Sequence, residues 1–78
     1  MDSMIGKPVG WIVKVSYPGR DLEDQQYYVA EPVKTQAVAG VRRRVPGAEG
    51  ATVEAVQALS RSQMTKLRLM RGDMMPVK

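Results

Sequence analysis

The chemistry open to this chain is limited first by two residue types that it lacks. Its 78 residues include no histidine and no cysteine. Histidine is the commonest general base and metal ligand, and it is the usual partner that activates a serine nucleophile. Ser16, Ser60 and Ser62 therefore lack that base, and neither a GxGxxG motif nor a phosphate loop occurs. We expect no enzymatic activity, no bound cofactor and no resident metal.

Two short motifs that contain aspartate are better explained by turns than by ligand binding. Asp21, Glu23 and Asp24 supply carboxylate oxygens, but a calcium loop also needs a later bidentate glutamate, and the spacing here is too short. We interpret these residues as a solvated loop. The Arg-Gly-Asp tripeptide at 71–73 matches an integrin-type motif in its letters alone, and Gly beside Asp is typical of a turn.

Basic residues are concentrated in the second half of the chain. The net charge of +4 divides into −2 for residues 1–33, with three basic and five acidic residues, and +6 for residues 34–78, with nine and three. A basic half can bind an anionic partner, or it can keep a small protein soluble. The residues of a possible nucleic-acid patch, called the basic set below, are Arg42, Arg43, Arg44, Arg61, Lys66, Arg68 and Arg71.

The arginine triplet at 42–44 also has a structural explanation. Cations in the last turn of a helix are stabilised by the helix dipole, by about 0.3–1 kcal/mol each. Sheets that recognise RNA need two or three exposed aromatic side chains. We assign Trp11 and Tyr17 to the core, which leaves Tyr28 alone on a sheet face. Nucleic-acid binding is therefore the alternative to protein binding, and protein binding is favoured.

The element that must position any site is a strand at about residues 9–17. It is the only segment that combines high β-propensity with many large apolar side chains. Alternate residues point to opposite sides of a strand. One side carries Trp11, Val13, Val15 and Tyr17 and is predicted to face the core, whereas the other side is mixed.

Four further elements follow this strand. A second strand is predicted at 25–30 and a helix at 32–45, which the Pro-Gly pair at 46–47 ends. A third strand is predicted at 51–59. Ser60 and Gln63 match a capping box, with Leu59 and Met64 as its hydrophobic staple, so a short helix is predicted at 61–67.

The order ββαβα predicts an α+β fold. We expect a two-layer sandwich with a three-stranded antiparallel sheet in the order 2-1-3 and both helices on one face. In topology alone this arrangement resembles part of the ferredoxin-like split-βαβ plan. Val53, Ala55, Gln57 and Leu59 are predicted to face the core. One domain spans residues 1–78, with a flexible lead-in at 1–8 and a flexible tail at 74–78.

The sheet face without helices and the strand edges are the expected binding surfaces. The residues predicted to form a protein interface there are Ile12, Lys14, Ser16, Tyr28 and Val56. We predict a small interaction module that binds a second copy or another protein, because oligomerisation adds burial to so small a core. No apolar run approaches the ~20 residues of a membrane span. The acidic N-terminus is unlike a signal peptide, so we expect a cytoplasmic protein that does not bind membranes.

Overall fold

A computed structural model describes residues 9–19 and 23–77, and for Glu49 the backbone alone. Its elements in chain order are β1 (Gly10–Ser16), β2 (Gln25–Val29), α1 (Lys34–Arg44), a 3-10 turn (Ala48–Gly50), β3 (Thr52–Leu59), α2 (Arg61–Leu67) and β4 (Met74–Pro76). The five predicted elements are all present, and each predicted end lies within two residues of the observed one. The predicted lead-in at 1–8 lies outside the described residues.

In the described residues the sheet has four antiparallel strands in the order β3-β1-β2-β4. The α+β class is confirmed, and so is the position of β1 between β2 and β3. The prediction of three strands is wrong, because the segment expected to be a flexible tail contributes β4, in which Met75 lies opposite Tyr28. A strand of three residues that contains a proline is too short to show a period-two pattern in the sequence.

A tight turn at residues 70–73 leads the chain into β4. The backbone N–H of Met70 donates to the Asp73 carboxylate at 2.9 Å, and Gly72 adopts a left-handed φ of 92°. The N–H of Ala30 donates to the Asp73 carbonyl, and that of Gly72 donates to the Ala30 carbonyl, both at 2.8 Å. The tripeptide at 71–73 is confirmed as part of a turn, and its aspartate is used to close that turn.

The core lies between α1 and the side of the sheet that carries Val13 and Val15, both fully buried. Ala37 and Val41 on α1 pack in the same cluster. Trp11 is half-buried at the edge of this cluster, and its indole N–H donates to the Pro32 carbonyl at 3.1 Å. The predicted core side of β1 is therefore confirmed.

β3 contains a bulge that changes which of its residues face the core. Val13 lies opposite Ala55 and Ile12 lies opposite Gln57, so Val56 is an extra residue. The alternation shifts by one position after a bulge. Gln57, predicted to face the core, is exposed, so that prediction is wrong and the shift avoids burying an amide.

The capping box that starts α2 is confirmed. The Gln63 N–H donates to Ser60 Oγ at 3.2 Å, and the Ser60 N–H donates to Gln63 Oε1 at 2.9 Å. Two backbone N–H groups that have no partner inside the helix are satisfied in this way.

α2 lies at the end of the sheet where Gly10 pairs with Leu59. A β carbon placed on Gly10 would lie 3.0 Å from Met64 Sδ and 3.2 Å from Leu59 Cδ1. Leu59 is buried but is not part of the cluster under α1. Gly10 is three residues from Val13 along β1, so the two positions point to opposite sides of the sheet. Met64 of α2 therefore approaches the sheet from the side opposite α1, and the prediction of both helices on one face is wrong.

Candidate interaction surfaces

The second face is the side of the sheet turned away from α1. Because side chains alternate, Ile12, Lys14 and Ser16 point to this side of β1. Tyr28 lies opposite Ile12 on β2, and Val56 lies beside Ile12 at the bulge, where it is 46% exposed. The five residues predicted to form an interface thus share one side of the sheet, and their role in binding stays a prediction.

An apolar row crosses the second face from strand to strand. Ile12 lies opposite Tyr28, and Tyr28 lies opposite Met75. All three side chains are half-buried. Met75 is absent from the predicted interface because no strand is expected in the tail, and only its pairing with β2 brings it to this face.

A charged pair borders the apolar row. Lys14 Nζ lies 3.4 Å from Asp24 Oδ2, with the two side chains 32% and 49% exposed. Such a solvated pair contributes at most about 1 kcal/mol to stability. Asp24 therefore pairs with a lysine, and in residues 9–19 and 23–77 no group of three acidic side chains is placed to hold a metal ion.

The two edges of the sheet differ in what they can bind. β3 is eight residues long, and no described strand lies on its outer side. β4 has three residues and ends at Pro76. The Val77 N–H donates to the Gln26 carbonyl at 2.9 Å, so Pro76, one residue earlier, turns its nitrogen outward, where proline has no hydrogen to donate. β3 is therefore the edge that is open to a further strand.

A groove of about 340 Å³ runs between α1 and the β3 edge. Its lining consists of Lys34, Thr35, Val38, Val53, Glu54 and Ala55. Val38 and Ala55 are half-buried and make part of the lining apolar. A groove between a helix and an open strand edge is the geometry in which an extended segment adds a strand to a sheet.

A polar groove of about 560 Å³ lies where β2 and β4 meet the loop before β2. Tyr27 and Gln25 line it, and the Tyr27 O–H donates to Gln25 Oε1 at 2.8 Å. Glu23 and Asp24 also line it, and Asp24 is paired with Lys14. The polar groups of this groove are thus partly satisfied by one another.

The structure brings part of the basic set together. Residues 42–44 form the last turn of α1, and Arg44 Nη1 donates to the Gly72 carbonyl at 2.9 Å. This bond places the end of α1 beside Arg71. The other members lie on α2 or directly after it, and they are Arg61, Lys66 and Arg68.

Comparison of the chain with protein-family models, curated proteins and solved structures found no match. Within residues 9–19 and 23–77, none of the helices has the length and apolar composition needed to cross a membrane.

Proposed function

We propose that the protein is a small interaction module that binds other protein chains and self-associates as a homodimer. The observation that carries the proposal is the eight-residue β3 edge, which has no described strand on its outer side and adjoins the second face. An exposed strand edge offers a row of backbone donors and acceptors, and soluble proteins usually cover or interrupt such edges. Pro76 interrupts the β4 edge, whereas β3 has no proline.

The size of the chain supports the same proposal. A domain of this length buries only about 60–65% of the surface that its unfolded chain exposes. Association through β3 or the second face would add burial to residues that are only half-buried in one copy, among them Ile12, Tyr28 and Met75. Small domains commonly gain stability in this way.

Sedimentation equilibrium over a dilution series tests self-association. We expect a dimer at micromolar concentrations that dissociates on dilution, because its stability depends on protein concentration. Val33→Ser is the control, since Val33 is 52% exposed at the start of α1 and lies outside both proposed surfaces. Its dissociation constant should equal that of the parent chain. A parent chain that is monomeric throughout the series would contradict the proposal.

Binding of a polyanion, such as a nucleic-acid backbone, is a second candidate function. Arg42 and Arg43 are exposed. In the described part of the chain the ion pair is Lys14–Asp24, which involves neither of these arginines. Fluorescence anisotropy with a mixed-sequence oligonucleotide should show affinity that falls steeply with salt. Arg42→Glu should weaken binding, whereas Lys34→Glu, the same charge change at the other end of α1, should weaken it less. Absence of binding at low salt would eliminate this candidate.

A further inference from the structure

We propose that a second copy of the chain occupies the β3 edge, with residues 51–55 of the two copies paired antiparallel. This inference rests on the self-association proposed above and names the segment that makes it. A two-fold axis perpendicular to the sheet keeps corresponding faces on the same side. The two four-stranded sheets would then form one continuous sheet, with both α1 helices packed on the same side of it.

The backbone groups that β3 turns outward follow from the pairing at the opposite edge. In an antiparallel pair, residues that exchange hydrogen bonds alternate with residues that do not. Gln26 accepts from Val77 and therefore faces β4. Its neighbour Gln25 must face β1, where it lies opposite Val15. Val15 accordingly directs its N–H and C=O toward β2.

The same alternation continues from β1 to β3. Because Val15 faces β2, its neighbour Lys14 faces β3, where it lies opposite Glu54. Glu54 is thus hydrogen-bonded inside the sheet. Val53 and Ala55 on either side of it direct their N–H and C=O groups outward, where a further strand would meet them.

The bulge limits regular pairing to the first part of β3. Val56 is the extra residue, so the regular edge ends at Ala55. It begins at Ala51, which is extended at φ −108° and ψ 165°. The Ala51 N–H already donates to Ala48, but its carbonyl can accept. With Val53 placed opposite Val53 of the second copy, each Ala55 N–H meets the Ala51 carbonyl of the other copy.

The charge of Glu54 favours the register in which the two Val53 residues face each other over the register in which Val53 faces Ala55. Glu54 is the single charged residue of β3. When the two Val53 residues face each other, Glu54 lies opposite Thr52 of the second copy. If Val53 instead faced Ala55, the two Glu54 side chains would be directly opposite, and like charges in that position are destabilising.

The groove beside α1 adds apolar burial to the backbone pairing. A strand added at the β3 edge lies along this groove, where Val38 and Ala55 are half-buried. Covering them supplies a contact that hydrogen bonding alone does not, because burying apolar area stabilises association. Residues 51–55 of the second copy thus supply both the added strand and small side chains that the groove can accept.

Two opposite charge changes at Thr52 test the register by sedimentation equilibrium. Thr52 is exposed, so neither change should disturb the fold. Thr52→Lys places a cation opposite Glu54 of the second copy and should tighten the dimer about fivefold, whereas Thr52→Glu should weaken it about fivefold. Ala55→Pro removes an outward N–H and should weaken the dimer about 30-fold. Far-UV circular dichroism of each variant checks that the monomer stays folded.

Tyr28→Ser separates failure of this inference from failure of the proposed function. If the Thr52 and Ala55 variants associate like the parent and Tyr28→Ser dissociates, the second face is the contact, so edge pairing is wrong and self-association stands. If Thr52→Lys weakens the dimer and Thr52→Glu tightens it, the register is wrong. If the parent and all variants are monomers at every concentration, both the edge pairing and the homodimer are wrong.

Discussion

Gly10→Ala is expected to lower the free energy of unfolding by about 3 kcal/mol, because the added methyl group has no room. A β carbon on Gly10 would lie 2.6 Å from the backbone oxygen of Val29 and 3.0 Å from Met64 Sδ. The methionine side chain can rotate away. The Val29 oxygen belongs to the strand paired with β1, so it cannot move without separating β1 from β2. Urea unfolding followed by fluorescence of Trp11, the single tryptophan, measures the change.

Gly40→Ala is the matched control for this substitution. Gly40 lies inside α1, and in the described part of the chain nothing beyond the helix's own nearby backbone comes within 4 Å of an added β carbon. We expect this variant to be more stable than the parent by about 0.5–1 kcal/mol, because alanine is the better helix former. A Gly10→Ala protein as stable as the parent would contradict the close approach of β1 and β2 at this position.

The contrast between these glycines illustrates which features can be predicted from sequence. β1, α1 and α2 are predicted to within two residues because their signals are local: alternating large side chains, an apolar stripe ended by the Pro-Gly pair at 46–47, and the capping box of Ser60 and Gln63. The need for glycine at position 10 is not local. It arises from Val29 and Met64, which are distant in sequence and meet Gly10 only in the folded sheet.

The bulge and the fourth strand could not be predicted for the same reason. The alternation of residues 51–59 is compatible with a regular strand, and the extra residue at Val56 appears only in the register with β1. β4 has three residues, and the turn that Gly72 and Asp73 form directs it alongside β2. Each feature is specified by a neighbouring strand rather than by its own residues.

The candidate surfaces likewise have features that local sequence reveals and features that depend on distant strands. Ile12, Lys14 and Ser16 share a face because of the period-two geometry of one strand, which the sequence reveals directly. Adding Met75 to that face and identifying β3 as the open edge both require the strand order. Arg44 is assigned from the sequence to a phosphate-binding patch, but its guanidinium donates to the Gly72 carbonyl, 28 residues away. Its position in the last turn of α1 does not reveal that contact.

Leu59→Ala is expected to lower the free energy of unfolding by about 3–4 kcal/mol, because it removes a buried side chain and leaves a cavity. Leu59 is 1% exposed, and its Cδ1 and Met64 Sδ both lie near Gly10. Leu59 and Met64 of α2 thus converge on Gly10 at the end of the sheet, so we expect the substitution also to free α2. Urea unfolding measures the stability, and amide hydrogen exchange should show loss of protection in residues 61–67 before the sheet exchanges.

Met70→Ala is the control for Leu59→Ala, because it removes an exposed apolar side chain instead of a buried one. Met70 is 73% exposed, and its removal should change stability by no more than about 0.5 kcal/mol. If both substitutions had similarly small effects, the Leu59 side chain would not be what holds α2 at the end of the sheet. If Leu59→Ala destabilised the whole chain with uniform loss of amide protection, α2 and the sheet would unfold as one unit. A larger loss of protection in α2 than in the sheet is the expected result, because Leu59 lies outside the cluster under α1.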